Sequence, residues 1–167
     1  MKIEEIRKSL KAIDDLYNSD TSGKFSILYS KLAAIELSSW IEFVMDDIVK
    51  NYWKKHSINT QLDKEIKEFI KYNNGFGYEK NFRPMLYKTI GLARVQKIEF
   101  LYSIEIDHLK TQLIDLTVDR NKAAHVFHHS GVTATFKAPS YIIGMFEQLH
   151  PILGKIKRYV EGIRKLR

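Results

Sequence analysis

Arg120 and His125 stand five residues apart, with Asn121 directly after the arginine and two alanines, Ala123 and Ala124, between them. An arginine offers a planar cation that grips a phosphate through two parallel hydrogen bonds, and an imidazole changes charge near neutral pH. The asparagine amide adds both donors and an acceptor. A base that takes a proton and a cation that steadies charge growing on phosphorus form a minimal kit for phosphodiester chemistry. On a helix, Asn121 and His125 share one face, about 100° round from the row through Arg120 and Ala124. A long arginine arm spans that angle. The same pair also has a plain structural use, as a helix-end cation and a solvated histidine, and the spacing alone does not separate the two.

The helix that must carry these residues runs over 104–127. Ile106, Leu109, Leu113, Leu116, Arg120, Ala124 and Phe127 recur at three and four, so Arg120 is expected to interrupt an apolar stripe and emerge from a packed seam. A buried cation without a partner costs several kcal/mol. Either an internal carboxylate, with Glu36 the best placed, or a ligand phosphate would satisfy it. Further helices are expected over 2–17, 25–56, 62–72, 84–96 and from Pro139 onwards, with Gly91 a weak point, Pro84 opening its helix and Pro151 kinking the last one. The stretch 132–136 alternates like a strand but is short and unpartnered, and reads as loop. The expectation is an all-α protein, an irregular bundle of five to six helices forming one domain over 1–167.

The 167 residues carry a formal charge of +7, which favours polyanionic partners and RNA among them. The aperiodic run 73–83 mixes aromatics with cations. Tyr78, Lys80 and Arg83, with Lys122 beside the motif, are candidates for holding RNA. Anchoring of that loop to the core is an equal alternative. The basic end of the last helix, with Lys155, Lys157 and Arg158, also suits a helix dipole. There is no cysteine, so a thiolate metal site and disulfides are excluded. His56, His108, His128, His129 and His150 lack ligand spacing, and neither metal nor cofactor is expected. The charged first residues and the shortness of every apolar run lead to the expectation of a cytoplasmic protein with no membrane partner.

The segment from Leu116 to His125, with Arg120, Asn121 and His125 at its chemical positions, resembles the signature of the HEPN superfamily. In that family an arginine is followed after four to six residues by histidine, often with asparagine next to the arginine. The run from Ala34 to Ile48 resembles the second helix of the RiboL-PSP-HEPN-like branch, and the surroundings of Phe82–Arg83 and Ala138–Pro139–Ser140 are similar too. The resemblance spans about 25–165. It implies a metal-independent endoribonuclease, a toxin or defence effector, that works as a homodimer with Arg120 and His125 of both copies in one composite site and an antitoxin protein as a further partner. The seam of Leu116, Arg120 and Ala124 is expected to pack against its symmetry mate, with Ala123 and Ala124 allowing close approach. One departure stands out: family members silenced by nucleotidylation carry tyrosine two residues after the histidine, and here that residue is Phe127. The alternatives are a HEPN-like module that binds RNA or nucleotide without catalysis, and a helical interaction subunit.

Overall fold

The computed structural model describes residues 2–57, 60–125 and 135–163. Their chain order is α1 (Ile3–Ser19), α2 (Ser26–His56), α3 (Thr60–Tyr72), a π-helical turn (Tyr78–Phe82), α4 (Arg83–Ile90), α5 (Leu92–Leu101), α6 (Ser103–His125) and α7 (Pro139–Glu161). The all-α expectation holds. The described residues form seven α-helices rather than five or six, because Gly91 adopts φ 87° and divides the expected 84–96 helix into α4 and α5. Only glycine takes that backbone region without strain.

The 31-residue α2 is the centre of the bundle. It packs against α1, α4, α6 and α7, and Leu37, Ile41, Val44 and Ile48 along its inner side are fully buried. Ile6, Leu10 and Ile13, at spacings of four and three, bring α1 into this core, whereas Leu16 at its end is exposed. From α7 come Ile142, Phe146, Leu149, Leu153, Ile156 and Val160, and the helix continues through Pro151. The Trp40 and Phe146 rings meet edge to face at 5.2 Å, a favoured aromatic geometry. Each fully buried leucine in such a core contributes about 2–5 kcal/mol against truncation to alanine.

The run 73–83 is more ordered than its lack of period suggested. Phe76, Tyr78 and Phe82 are buried anchors, and the π-helical turn leads directly into α4, where Pro84 is the second residue rather than the first. The strand-like stretch lies mostly outside the described residues, and 135–138 has no regular structure. His128 and His129 lie outside the described residues as well. Among those residues, no helix is long and apolar enough to cross a membrane.

Candidate functional site

The buried stripe of α6 starts as the spacing predicts, with Ile106, Leu109, Leu113 and Leu116, and then continues through Asp119 and Ala123. Arg120 and Ala124 are exposed. After Leu116 a helix can turn its inner edge through 119 and 123 or through 120 and 124, since both keep the three-and-four rhythm. The choice is made from outside the helix. Lys137, just ahead of α7, lies 3.2 Å from Asp119 Oδ2, 3.7 Å from Asp115 and 4.7 Å from the centre of the Tyr141 ring. Burial works to lower the Lys137 pKa, but the ion pair with Asp119 outweighs it and leaves the ammonium above its usual value. The acid that turns inward is therefore paired.

Two expectations change in consequence. Leu116 is wholly buried within its own chain, so a seam of Leu116, Arg120 and Ala124 facing a second copy is not how α6 is oriented. Arg120 is also not neutralised by Glu36, which lines a separate shallow cleft with Lys2 and Glu5 between α1 and α2. Instead Arg120 Nη1 donates to Asn121 Oδ1 at 3.2 Å. Among the described residues neither Arg120 nor His125 forms an ion pair. Arg120, Asn121 and His125 are all exposed on the last two turns of α6. Lys122, between them, donates to the Thr135 carbonyl at 3.0 Å and lies 5.6 Å from the Phe136 ring centre.

Beside the arginine is a cavity of about 530 Å³ between the 74–81 loop and α6. Tyr78 and Lys80 line it from the loop, and Lys110, Ile114, Val118, Arg120 and Asn121 from the helix. The loop and motif, 40 residues apart in sequence, thus share one hollow. Arg83, Lys122 and His125 do not line it. The loop wall is held by its own polar groups: Gly77 donates to Asn81 Oδ1 at 3.1 Å, Asn81 Nδ2 donates to the Asn74 carbonyl at 2.9 Å, and Gly75 donates to Glu42 at 2.8 Å.

Two of the loop candidates are engaged inside the fold. Arg83 Nε donates to Glu99 at 2.7 Å, and the Tyr78 hydroxyl donates to the same carboxylate oxygen at 3.1 Å. Burial pushes the Glu99 carboxyl up, but the hydrogen bonds from Arg83 and Tyr78 and the nearby charges of Arg83 and Lys110 bring it below the usual range. Burial first, then Glu99, holds the Tyr78 phenol far above its ordinary value. With its side chain this buried, Tyr78 serves as an anchor rather than as an open platform for a base. Lys110 bridges back to Glu79 at 2.8 Å and lies over the Tyr78 ring. Lys80 is exposed and forms no ion pair among the described residues.

No protein-family model, curated protein or solved structure matches the chain. The site therefore rests on its own geometry. The residues missed from sequence are Lys110, Ile114 and Val118. Their spacing of four with Asn121 three further on marks a second α6 face, legible in principle, which a search for the buried stripe passes over. Among the described residues no group of three or more His, Asp or Glu side chains converges as metal ligands. The remaining described histidines are in structural contacts: His56 at the Tyr52 and Ile163 carbonyls, His108 with Gln148 and His150 with Glu147.

Proposed function

We propose that the chain is a metal-independent endoribonuclease of the HEPN type, acting on RNA with Arg120, Asn121 and His125. The observation that carries this reading is the exposure of all three residues on the last two turns of α6, with Arg120 and His125 out of any ion pair among the described residues and with Lys80 and Arg120 lining one hollow. A cation that the fold had used internally would be paired, as Lys137 is.

In the reaction a ribose 2′-hydroxyl attacks the adjacent phosphorus and gives its proton to the His125 imidazole. The bond from phosphorus to the 5′-oxygen breaks, and that oxygen takes a proton from an imidazolium. The products are a 2′,3′-cyclic phosphate and a 5′-hydroxyl. Arg120 stabilises the charge that builds on the non-bridging oxygens, and Asn121 fixes the guanidinium through the bond they share. One imidazole does not fill the base and acid roles simultaneously, so the reading includes a homodimer with two copies of each residue. Incubation of the purified protein with single-stranded RNA in EDTA tests the proposal: cleavage by wild type and none by His125→Ala is expected, and intact RNA in both would end it.

A second reading follows from the absence of His125 from the Arg120 cavity. A non-catalytic module would hold RNA or a nucleotide through Lys80, Arg120 and Asn121 and leave the histidine idle. RNA binding that survives His125→Ala, with no cleavage, is its signature.

A further inference from the structure

The first half of α2 is apolar on both sides. Its inner side supplies the core, yet Phe25, Leu28, Leu32, Ile35 and Phe43 on the outer side are 37–56% exposed. With the exposed Ser39 they recur at three and four residues, one continuous stripe along the helix. A helix that is apolar all round is ordinarily buried all round, and among the described residues only the inner face of α2 is fully covered.

The chemistry along the stripe says what fits the outer one. Lys24 and Phe25 mark its beginning, with the lysine ammonium 5.7 Å from the phenylalanine ring centre. Glu42 and Phe43 mark its end, with the Glu42 carboxylate held at 2.8 Å by the Gly75 amide. A second α2 laid antiparallel brings the basic end of each against the acidic end of the other. A parallel arrangement would set lysine on lysine and glutamate on glutamate. With a two-fold axis between residues 33 and 34, Leu32 of one copy meets Ile35 of the second, Leu28 meets the small Ser39, and Lys24–Phe25 meets Glu42–Phe43. At that register the large Leu28 faces the small Ser39, Leu32 packs on Ile35, and the aromatic and charged ends meet each other.

We propose that this face of α2 docks a second copy of the same chain, antiparallel, about a two-fold axis between residues 33 and 34. Lys31 lies roughly 4 Å along the helix from that axis, and its ammonium shares the Phe136 ring with that of Lys122, at 5.8 and 5.6 Å from the ring centre. The end of α6 that bears Arg120, Asn121 and His125 thus comes near the axis, and two copies flank it. This last consequence rests on the ribonuclease reading, whereas the dimer does not.

Because the chain has no cysteine, a Leu28→Cys, Ser39→Cys double variant reports the register. The two positions are about 16 Å apart on one helix, beyond the roughly 7 Å that a disulfide spans, so a bond forms only between copies. Mild oxidation is expected to give a covalent dimer on a non-reducing gel. Light scattering of the full chain at micromolar concentration is expected to give twice 19.6 kDa. Leu32→Glu is expected to give a folded monomer, with circular dichroism unchanged because Leu32 already faces solvent. Lys24→Glu is expected to weaken the dimer at least tenfold, and adding Glu42→Lys to restore it. A monomeric wild type, a dimer indifferent to Leu32→Glu, or a dimer that never cross-links at 28 and 39 would overturn the proposal. A cross-linked dimer that cleaves no RNA removes the ribonuclease reading and leaves this interface standing. RNA cleavage by a protein that is monomeric in the assay overturns this interface together with the two-copy site, and leaves standing only cleavage by a single copy.

Discussion

The ends of α6 and α7 carry side chains of similar chemistry and treat them in opposite ways. On α7, Lys155 reaches Glu105 of α6 at 2.5 Å and Lys157 reaches Asp47 of α2 at 3.2 Å, so the charges tie helices together. On α6, Arg120 and His125 are exposed and meet no carboxylate among the described residues. A basic helix end is thus no sign of function by itself, since the dipole favours cations at every C-terminus. What separates the two regions is whether the fold has already used the charge. The cluster of Tyr78, Arg83 and Glu99 falls on the α7 side of this division although its residue types suggested otherwise.

The largest expected effects come from the α6 end. His125→Ala should lower the RNA cleavage rate by about 10²–10⁴ and Arg120→Ala by about 10²–10³, each with stability changed by less than about 0.5 kcal/mol because both residues are exposed. Single-turnover cleavage and thermal melts on the same samples check this. A fall in melting temperature that tracks the loss of activity would assign both residues to the fold and erase the contrast.

Next is the Glu99 cluster. Glu99→Ala removes the acceptor of the half-buried Arg83 and of the buried Tyr78 hydroxyl, at a cost of about 1–3 kcal/mol in chemical denaturation. The same cluster has a pH signature. The folded Glu99 carboxyl titrates below its unfolded value, so its contribution is present above about pH 4.3 and disappears as the pH falls through the folded value. Melting temperatures of wild type and Glu99→Gln should differ at pH 7 and converge toward pH 3. A constant difference across that range would show that the carboxylate charge is not what stabilises the cluster.

The smallest effect belongs to α7. Lys157→Ala breaks a partly solvated pair and should cost less than about 1 kcal/mol with RNA cleavage unchanged. A marked loss of RNA binding there would move the functional surface to α7.

Much of this arrangement was legible in the sequence. The helix over 2–17, the opening of α7 at Pro139 and the break at Gly91 depend on local spacing and backbone preference, and the chain obeys them. The orientation of Arg120 was not legible. Residues 119 and 120 both continue the periodicity, and the arrival of Lys137 from 18 residues further along decides between them. The same holds for Arg83, whose role turns on Glu99 in the next helix. The outer stripe of α2 could be seen as apolar but not as exposed, because exposure depends on where α1, α6 and α7 settle. The Lys80 to Arg120 hollow likewise exists only once the 74–81 loop is folded back over α6.

The most direct test of the ribonuclease claim is the fate of one RNA and of the same strand with a 2′-deoxy sugar at the mapped cleavage position, both in EDTA. Attack by the 2′-hydroxyl predicts a 2′,3′-cyclic phosphate and a 5′-hydroxyl at the cut, and no cut at the deoxy position. Cleavage that persists at the deoxy sugar, or products ending in 3′-hydroxyl and 5′-phosphate, would contradict the assignment of Arg120 and His125 to this chemistry.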